Sequence, residues 1–251
     1  MKRFLIRADD LGYSKAVNYG IYEAVHNGII NNVGLMVNMP TTQHGLELLK
    51  NENVDLGLHV AISSGRPVTD SSKVTSLTTP QGFFKTSKVY RTATKDFVDL
   101  DEVSTEIEAQ YQKFVELTGR QPDYFEGHAV VSDNFVKDLK MVAKQHHVPF
   151  LDFTFGNATV DFKSATFRPL MESMQDNYDP FVTFKKGIPE SEDESKIPMM
   201  ICHPGYLDDY ILQHSSLTIP RTKEVAMACA PETRKLVEKE KIELVRYSEL
   251  K

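Results

Sequence analysis

The sequence predicts an α/β fold: a single (β/α) barrel-like domain over residues 1–251, with mostly parallel strands and a long insertion after the third strand, at about 63–100. Three observations lead there. Strand-like and helix-like runs alternate at short intervals through the first third, the rhythm of right-handed βαβ units. That rhythm breaks after the third strand and returns near residue 101. No internal repeat and no linker divides the 251 residues, a length that one large α/β domain accommodates. An open doubly wound sheet is the alternative on the same pattern.

Each element has its own signal. "RFLIRA" (3–8) reads as a strand. Ser14 can cap a helix over "KAVNYGIYEAVHNG", where Val17, Ile21, Ala24 and Val25 form an apolar stripe and Gly28 is placed to end it. "VGLMVNM" is a second strand closed by Pro40, "TTQHGLELLKN" a second helix and "VDLGLHVAI" a third strand. The polar stretch from Ser63 to Leu100 reads as an excursion over one end of the sheet; its aromatics Phe83, Phe84 and Tyr90 read as packing residues. A helix over 101–118, the strand "PDYFEGH", a helix over 132–146 and the strand "VPFLDF" follow. Residues 156–196 show no clear period, and "PESEDESK" reads as a solvated loop. "IPMMICHPG" is a late strand, with the helix "APETRKLVEKEK" and the strand "IELVRY" closing the chain.

Composition excludes several classes. A formal net charge of −6 without a basic stripe argues against a nucleic-acid partner. No run of about 18 apolar residues is present, so no membrane span is expected, and the broken N-terminal run is too short for a secretory signal. Cys202 and Cys229 lack CxxC spacing, which points to free thiols in a reducing, cytoplasmic compartment. There is no GxGxxG after the first strand, no P-loop and no GxSxG elbow. Cys202 and His203 are adjacent on a strand and point to opposite faces, a poor nucleophile–base pair.

Four polar sites fall at the C-terminal ends of different strands: Asp9 with Asp10, His59, Glu126 with His128, and His203. In parallel α/β folds those ends share the face where ligands bind. One carboxylate and two imidazoles make an open divalent-metal site, with a position left for a water whose pKa falls toward neutrality beside the cation. A second carboxylate can then serve as base, and a further imidazolium can protonate a leaving group. The metal's charge would relieve the repulsion between Asp9 and Asp10. Taken singly, the pair could equally cap the following helix, and each histidine could be structural.

"RADDLGYS", "AVNYGIYEAVHNGIINNVGLMVNMP", "VDLGLHVAISSGRPV", "QGFF" and "MMICHPGYLDD", in this order along nearly the whole chain, resemble the YdjC-like carbohydrate deacetylase family. The resemblance implies a (β/α) barrel-like fold, one divalent metal ion (Mg2+ or Zn2+), and hydrolysis of an N-acetyl group from a small acetylated sugar such as a chito-oligosaccharide. It implies Asp10, His59 and His128 as metal ligands, Asp9 as general base, His203 as general acid, and the "GRPV" segment around Arg66 and Pro67 as an active-site loop. It also implies a homodimer. One segment departs from the family's usual Asp-x-His-x-His-x-His: here Glu126-Gly127-His128 is followed by Val130 and Ser132 in place of the later histidines. This scheme predicts a bell-shaped pH profile. A carbohydrate-binding protein on the same scaffold, or a metal-dependent hydrolase of another amide or a phosphoester, are the other readings.

Overall fold

The computed structural model describes residues 2–130, 132–152, 158–193 and 195–251. The order is β1 (Arg3–Leu11), α1 (Lys15–His26), β2 (Asn32–Leu35), α2 (Thr42–Leu49), β3 (Asp55–Val60), α3 (Ser87–Thr92), α4 (Leu100–Thr118), β4 (Phe125–Gly127) and α5 (Asp133–Gln145). Then come β5 (Val160–Phe162), β6 (Ala165–Leu170), α6 (Pro180–Glu190), β7 (Ile197–Cys202), α7 (Asp209–His214), α8 (Ile219–Cys229), α9 (Pro231–Glu240) and β8 (Glu243–Leu244). The described strands form one sheet in the order β4-β3-β2-β1-β7-β6-β5, with β8 pairing the start of β1. All pairs are parallel except the β5–β6 hairpin.

Alternation along β1 divides the core. Phe4, Ile6 and Ala8 pack outward with Val17, Ile21 and Ala24 of α1, whereas Leu5 points inward. The inner cluster joins Tyr124, beside β4, to Phe162 of β5 at the opposite end of the strand order. Tyr247 bridges them, with ring centroids 4.2 Å from Tyr124 and 5.0 Å from Phe162. Strands far apart in the sheet therefore meet, so the sheet is curled into a barrel-like shape. The same two-residue period that sends Leu5 inward sends Arg7 and Asp9 there as well.

The helices start where the sequence says they should. Ser14 accepts from Val17 N, and Ser132 from Phe135 N. α1 ends at His26 with Asn27 as its cap, so Gly28 is not the stop. Instead Gly28 permits close packing, since a Cβ there would lie 2.2 Å from Ala24 O. The 63–100 excursion holds no strand ladder, yet Val74, Leu77, Phe84, Tyr90 and Val98 enter the core, and Tyr90 donates to Ile62 O at 2.7 Å. Phe83 does not pack there; it is half-exposed under Arg66.

Several elements differ from the sequence reading. "VPFLDF" contributes a single bridge, Phe150 to Phe125, and Phe153 lies outside the described residues. The unassigned region supplies β5, β6 and α6. "PESEDESK" is loop only in part: Pro189 and Glu190 end α6, and Ser191 is buried against Ile188 O. Between the late strand and the last helix, a stretch the sequence pattern left unassigned, lie α7 and α8. Among the described residues, no helix is long and apolar enough to cross a membrane.

Candidate metal centre

The site grows from a defect in β1. Ala8 pairs with Val33 and Leu11 with Leu35, so three steps along β1 match two along β2. The extra residue is a bulge at Asp9–Asp10, and Asp10 takes φ 78°, the left-handed region that non-glycine residues avoid. The bulge separates the two carboxylates. Asp9 stays on the inner face with Arg7, and Asp10 turns toward α8.

Asp9 and Asp10 pair with different arginines. Arg7 Nη2 donates to Asp9 Oδ2 at 2.5 Å and to Glu126 Oε2 at 2.6 Å. Arg221, on α8, donates through Nη2 to Asp10 Oδ2 at 2.6 Å, through Nη1 to His203 O at 3.2 Å and through Nε to Leu217 O at 3.0 Å. All five of these charged side chains are almost completely buried. Removing one partner from such a pair costs about 3–5 kcal/mol, so the two arginines answer the repulsion between Asp9 and Asp10 without any added ion.

β3 and β4 lie in register with His59 opposite Glu126. His59 Nδ1 is 2.6 Å from Glu126 Oε1, and Nε2 of the same ring is 3.0 Å from His128 Nδ1. Asp10 Oδ1 is 3.1 Å from His128 Nδ1 and 3.5 Å from His59 Nε2, and it is buried without a hydrogen bond of its own. Separations of about 3–3.5 Å are those of donors sharing one coordination sphere with bonds near 2.0–2.2 Å. Asp10, His59 and His128 therefore fit one divalent cation, with Glu126 holding the His59 ring from behind. A second triad, Asp9, His59 and Glu126, also has its donor atoms within reach of one another, but Arg7 already lies between its two carboxylates.

The electrostatics follow from burial and these partners. Burial lowers His59, but Glu126 and Asp9 outweigh it and hold the imidazole up at about 10. Burial pushes Asp9 up to about 6 against the pull of Arg7. Burial also raises Asp10, yet Arg221 and His128 hold it well below the usual carboxylate range. His203, immediately after β7, is pushed down to about 3 by burial, with Arg221, His59 and His128 adding to the effect. It rests as a neutral imidazole, its Nδ1 3.5 Å from Ser173 Oγ.

The predicted positions thus fall into three groups. Asp9, Asp10, His59 and His128 converge with Glu126, and His203 joins them through Arg221. Arg66 is exposed on the excursion: its guanidinium donates to Gln81 O and Gly82 O and lies 3.8 Å from the Phe83 ring centroid. Pro67 is its half-buried neighbour. Val130 is buried, and Ser132 caps α5 and donates to Asp96 Oδ2 at 2.8 Å, so the two positions that depart from the family pattern serve packing and capping. Arg7, Arg221 and Glu224 escaped the sequence reading. Glu224 accepts from His203 N at 2.6 Å and Tyr178 OH at 2.8 Å, and burial raises it to about 7.

Fold and site together define an α/β barrel-like protein with a buried carboxylate–imidazole centre suited to one divalent cation. The chain belongs to the YdjC-like protein family, whose model matches residues 3–239. It is 29% identical over 255 residues to a carbohydrate deacetylase of Clostridium beijerinckii, covering 99% of this chain and all of that one. It is 28% identical over 233 residues to a chitooligosaccharide deacetylase of Citrobacter koseri, covering 90% of each. A crystal structure from Enterococcus faecalis V583, of a candidate cellobiose-phosphate cleavage protein, superposes with a TM-score of 0.81 at 21% identity, over 98% of this chain and 97% of that one.

Proposed function

We propose that the protein is a metal-dependent deacetylase that hydrolyses the N-acetyl group of a small acetylated amino sugar or chito-oligosaccharide. The observation that carries this reading is the convergence of Asp10 Oδ1, His59 Nε2 and His128 Nδ1 beside the buried Asp9, in a chain related to carbohydrate deacetylases over nearly its whole length. Asp10, His59 and His128 would hold one divalent ion, Zn2+ or Mg2+; two imidazoles and one carboxylate favour zinc. Such an ion polarises a carbonyl and acidifies a water.

The protein's own groups do the rest. Asp9, with one oxygen on Arg7 and Oδ1 free of partners, takes a proton from the attacking water. The water oxygen bonds to the acetyl carbon, the C–N bond breaks, and the nitrogen takes up a proton, leaving acetate and a free amine. We assign delivery of that proton to His203. Since its imidazole is neutral at rest, the proton it delivers is the one Asp9 has taken from the water, passed to His203 as negative charge builds beside it. Residues 1–251 act as one domain in this scheme, Arg66 and Pro67 border the substrate, and two unpaired cysteines support a reducing compartment.

The test is incubation of zinc-loaded protein with N-acetylated chito-oligosaccharides. Acetate and free amine released in equal amounts support the reading. Saturable sugar binding without acetate would make it a binding protein, and hydrolysis confined to a phosphorylated sugar would move the reaction to the phosphoester.

A further inference from the structure

The centre contains two overlapping donor sets that share His59. Nε2 of that ring faces Asp10 and His128, and Nδ1 faces Glu126. In the second set, Asp9 and Glu126 are both almost completely buried acids, and Asp9 Oδ1 has no hydrogen-bond partner. What lies between the two carboxylates is one nitrogen atom: Arg7 Nη2, 2.5 Å from one and 2.6 Å from the other.

The two arginines of the site are used differently. Arg221 spends Nε, Nη1 and Nη2 on three separate acceptors and works as a bracket. Arg7 leaves Nε without a partner and reaches only Tyr247 OH, at 3.5 Å, with Nη1. It does not use the fork that distinguishes arginine from a point charge. Its essential contribution is a positive centre between two carboxylates.

We infer that the Arg7 guanidinium is a resident cation filling a second, carboxylate-based metal site, and that it confines the centre to one ion. The inference rests on the metal-centre reading above. It also bears on the reaction, because a carboxylate engaged by a divalent ion is not free to accept a proton. A fixed single charge at Arg7 leaves Asp9 available as base.

The experiment is zinc titration by calorimetry, with metal counting by mass spectrometry, on wild type, Arg7→Met, Arg7→Lys and Arg7→Met/Glu126→Gln. Wild type and Arg7→Lys should bind one zinc per chain. Arg7→Met should bind two and gain thermal stability as the second enters, and adding Glu126→Gln should return the count to one. The two-zinc Arg7→Met protein should lose at least tenfold in kcat with KM little changed. Arg7→Met folding with a single zinc would overturn the inference, as would its staying unfolded in excess zinc, since the ion could not then replace the guanidinium. Two zinc ions in wild type would overturn it as well. No zinc in wild type would overturn the metal-centre reading itself and the inference with it.

Discussion

His59 is held between two partners on opposite edges of its ring: Glu126 Oε1 lies 2.6 Å from Nδ1, and His128 Nδ1 lies 3.0 Å from Nε2. The carboxylate fixes the proton on Nδ1 and turns Nε2 toward Asp10 and His128. Without a cation the ring is charged up to about pH 10, so its second proton occupies the place a metal would take.

Zinc binding at pH 7 should therefore release about one proton from His59. Calorimetry in two buffers of different ionisation enthalpy counts it. Glu126→Gln should reduce the release and weaken zinc by about 10–100-fold, the usual effect of removing the partner behind a ligating histidine. No proton release in wild type would place the ion elsewhere.

Burial raises Asp9 to about 6, and a base must be ionised to work, so kcat/KM should climb with pH through that value. His203, pushed down by burial to about 3, is neutral throughout pH 5–9 and should add no alkaline fall. The profile is thus a rise to a plateau, not the bell expected from an imidazolium acid. An alkaline fall abolished by His203→Asn would restore the bell. Asp9→Asn should retain zinc and lose about 10²–10⁴-fold in turnover, as for a missing general base.

Glu224 and His203 oppose each other in stability. Burial raises Glu224 from 4.5 to about 7, so its stabilising effect is complete below pH 4.5 and disappears as pH rises through 7. His203, lowered from 6.5 to about 3, acts in the other direction: its contribution is present above pH 6.5 and lost as pH falls toward 3. In wild type the two slopes partly cancel between pH 4.5 and 6.5. Glu224→Gln should remove the first, by up to about 3 kcal/mol, and leave a steeper rise of stability with pH. Urea melts at pH 4.5, 5.5 and 6.5 would show it.

α1 meets the loop after His203 at two glycines. A Cβ on Gly20 would lie 2.4 Å from Gly205 Cα, with backbone on both sides of the clash. Gly20→Ala should cost about 1–3 kcal/mol through overpacking. It should also lower kcat more than zinc affinity, because the displaced loop carries His203 and not Asp10, His59 or His128. Equal loss of both would mean that the strain spreads through β1.

The sequence revealed strands and the polar residues at their ends wherever pattern and chemistry coincide. Asp9, Asp10, His59 and His203 end apolar runs that read as buried strands, and Ser14 announces the helix behind the first of them. β6 was hidden because Arg168 and Pro169 interrupt "ATFRPL". Pro169 is tolerated because β5 pairs only as far as Phe167, so on that side no ladder needs its N–H. α8 was hidden because its inward residues include Arg221 and Glu224, which read as solvated charges until their partners are seen. Arg7 had the same disguise: its burial depends on Glu126, 119 residues away in the chain.

In the proposed centre, three strand ends hold one cation. Diffraction from zinc-soaked crystals at the zinc edge tests it most directly. A single anomalous peak is expected within about 2.0–2.2 Å of Asp10 Oδ1 and one nitrogen each of His59 and His128, with Arg7 still between Asp9 and Glu126. A peak between Asp9 and Glu126, or none within reach of Asp10, would contradict it.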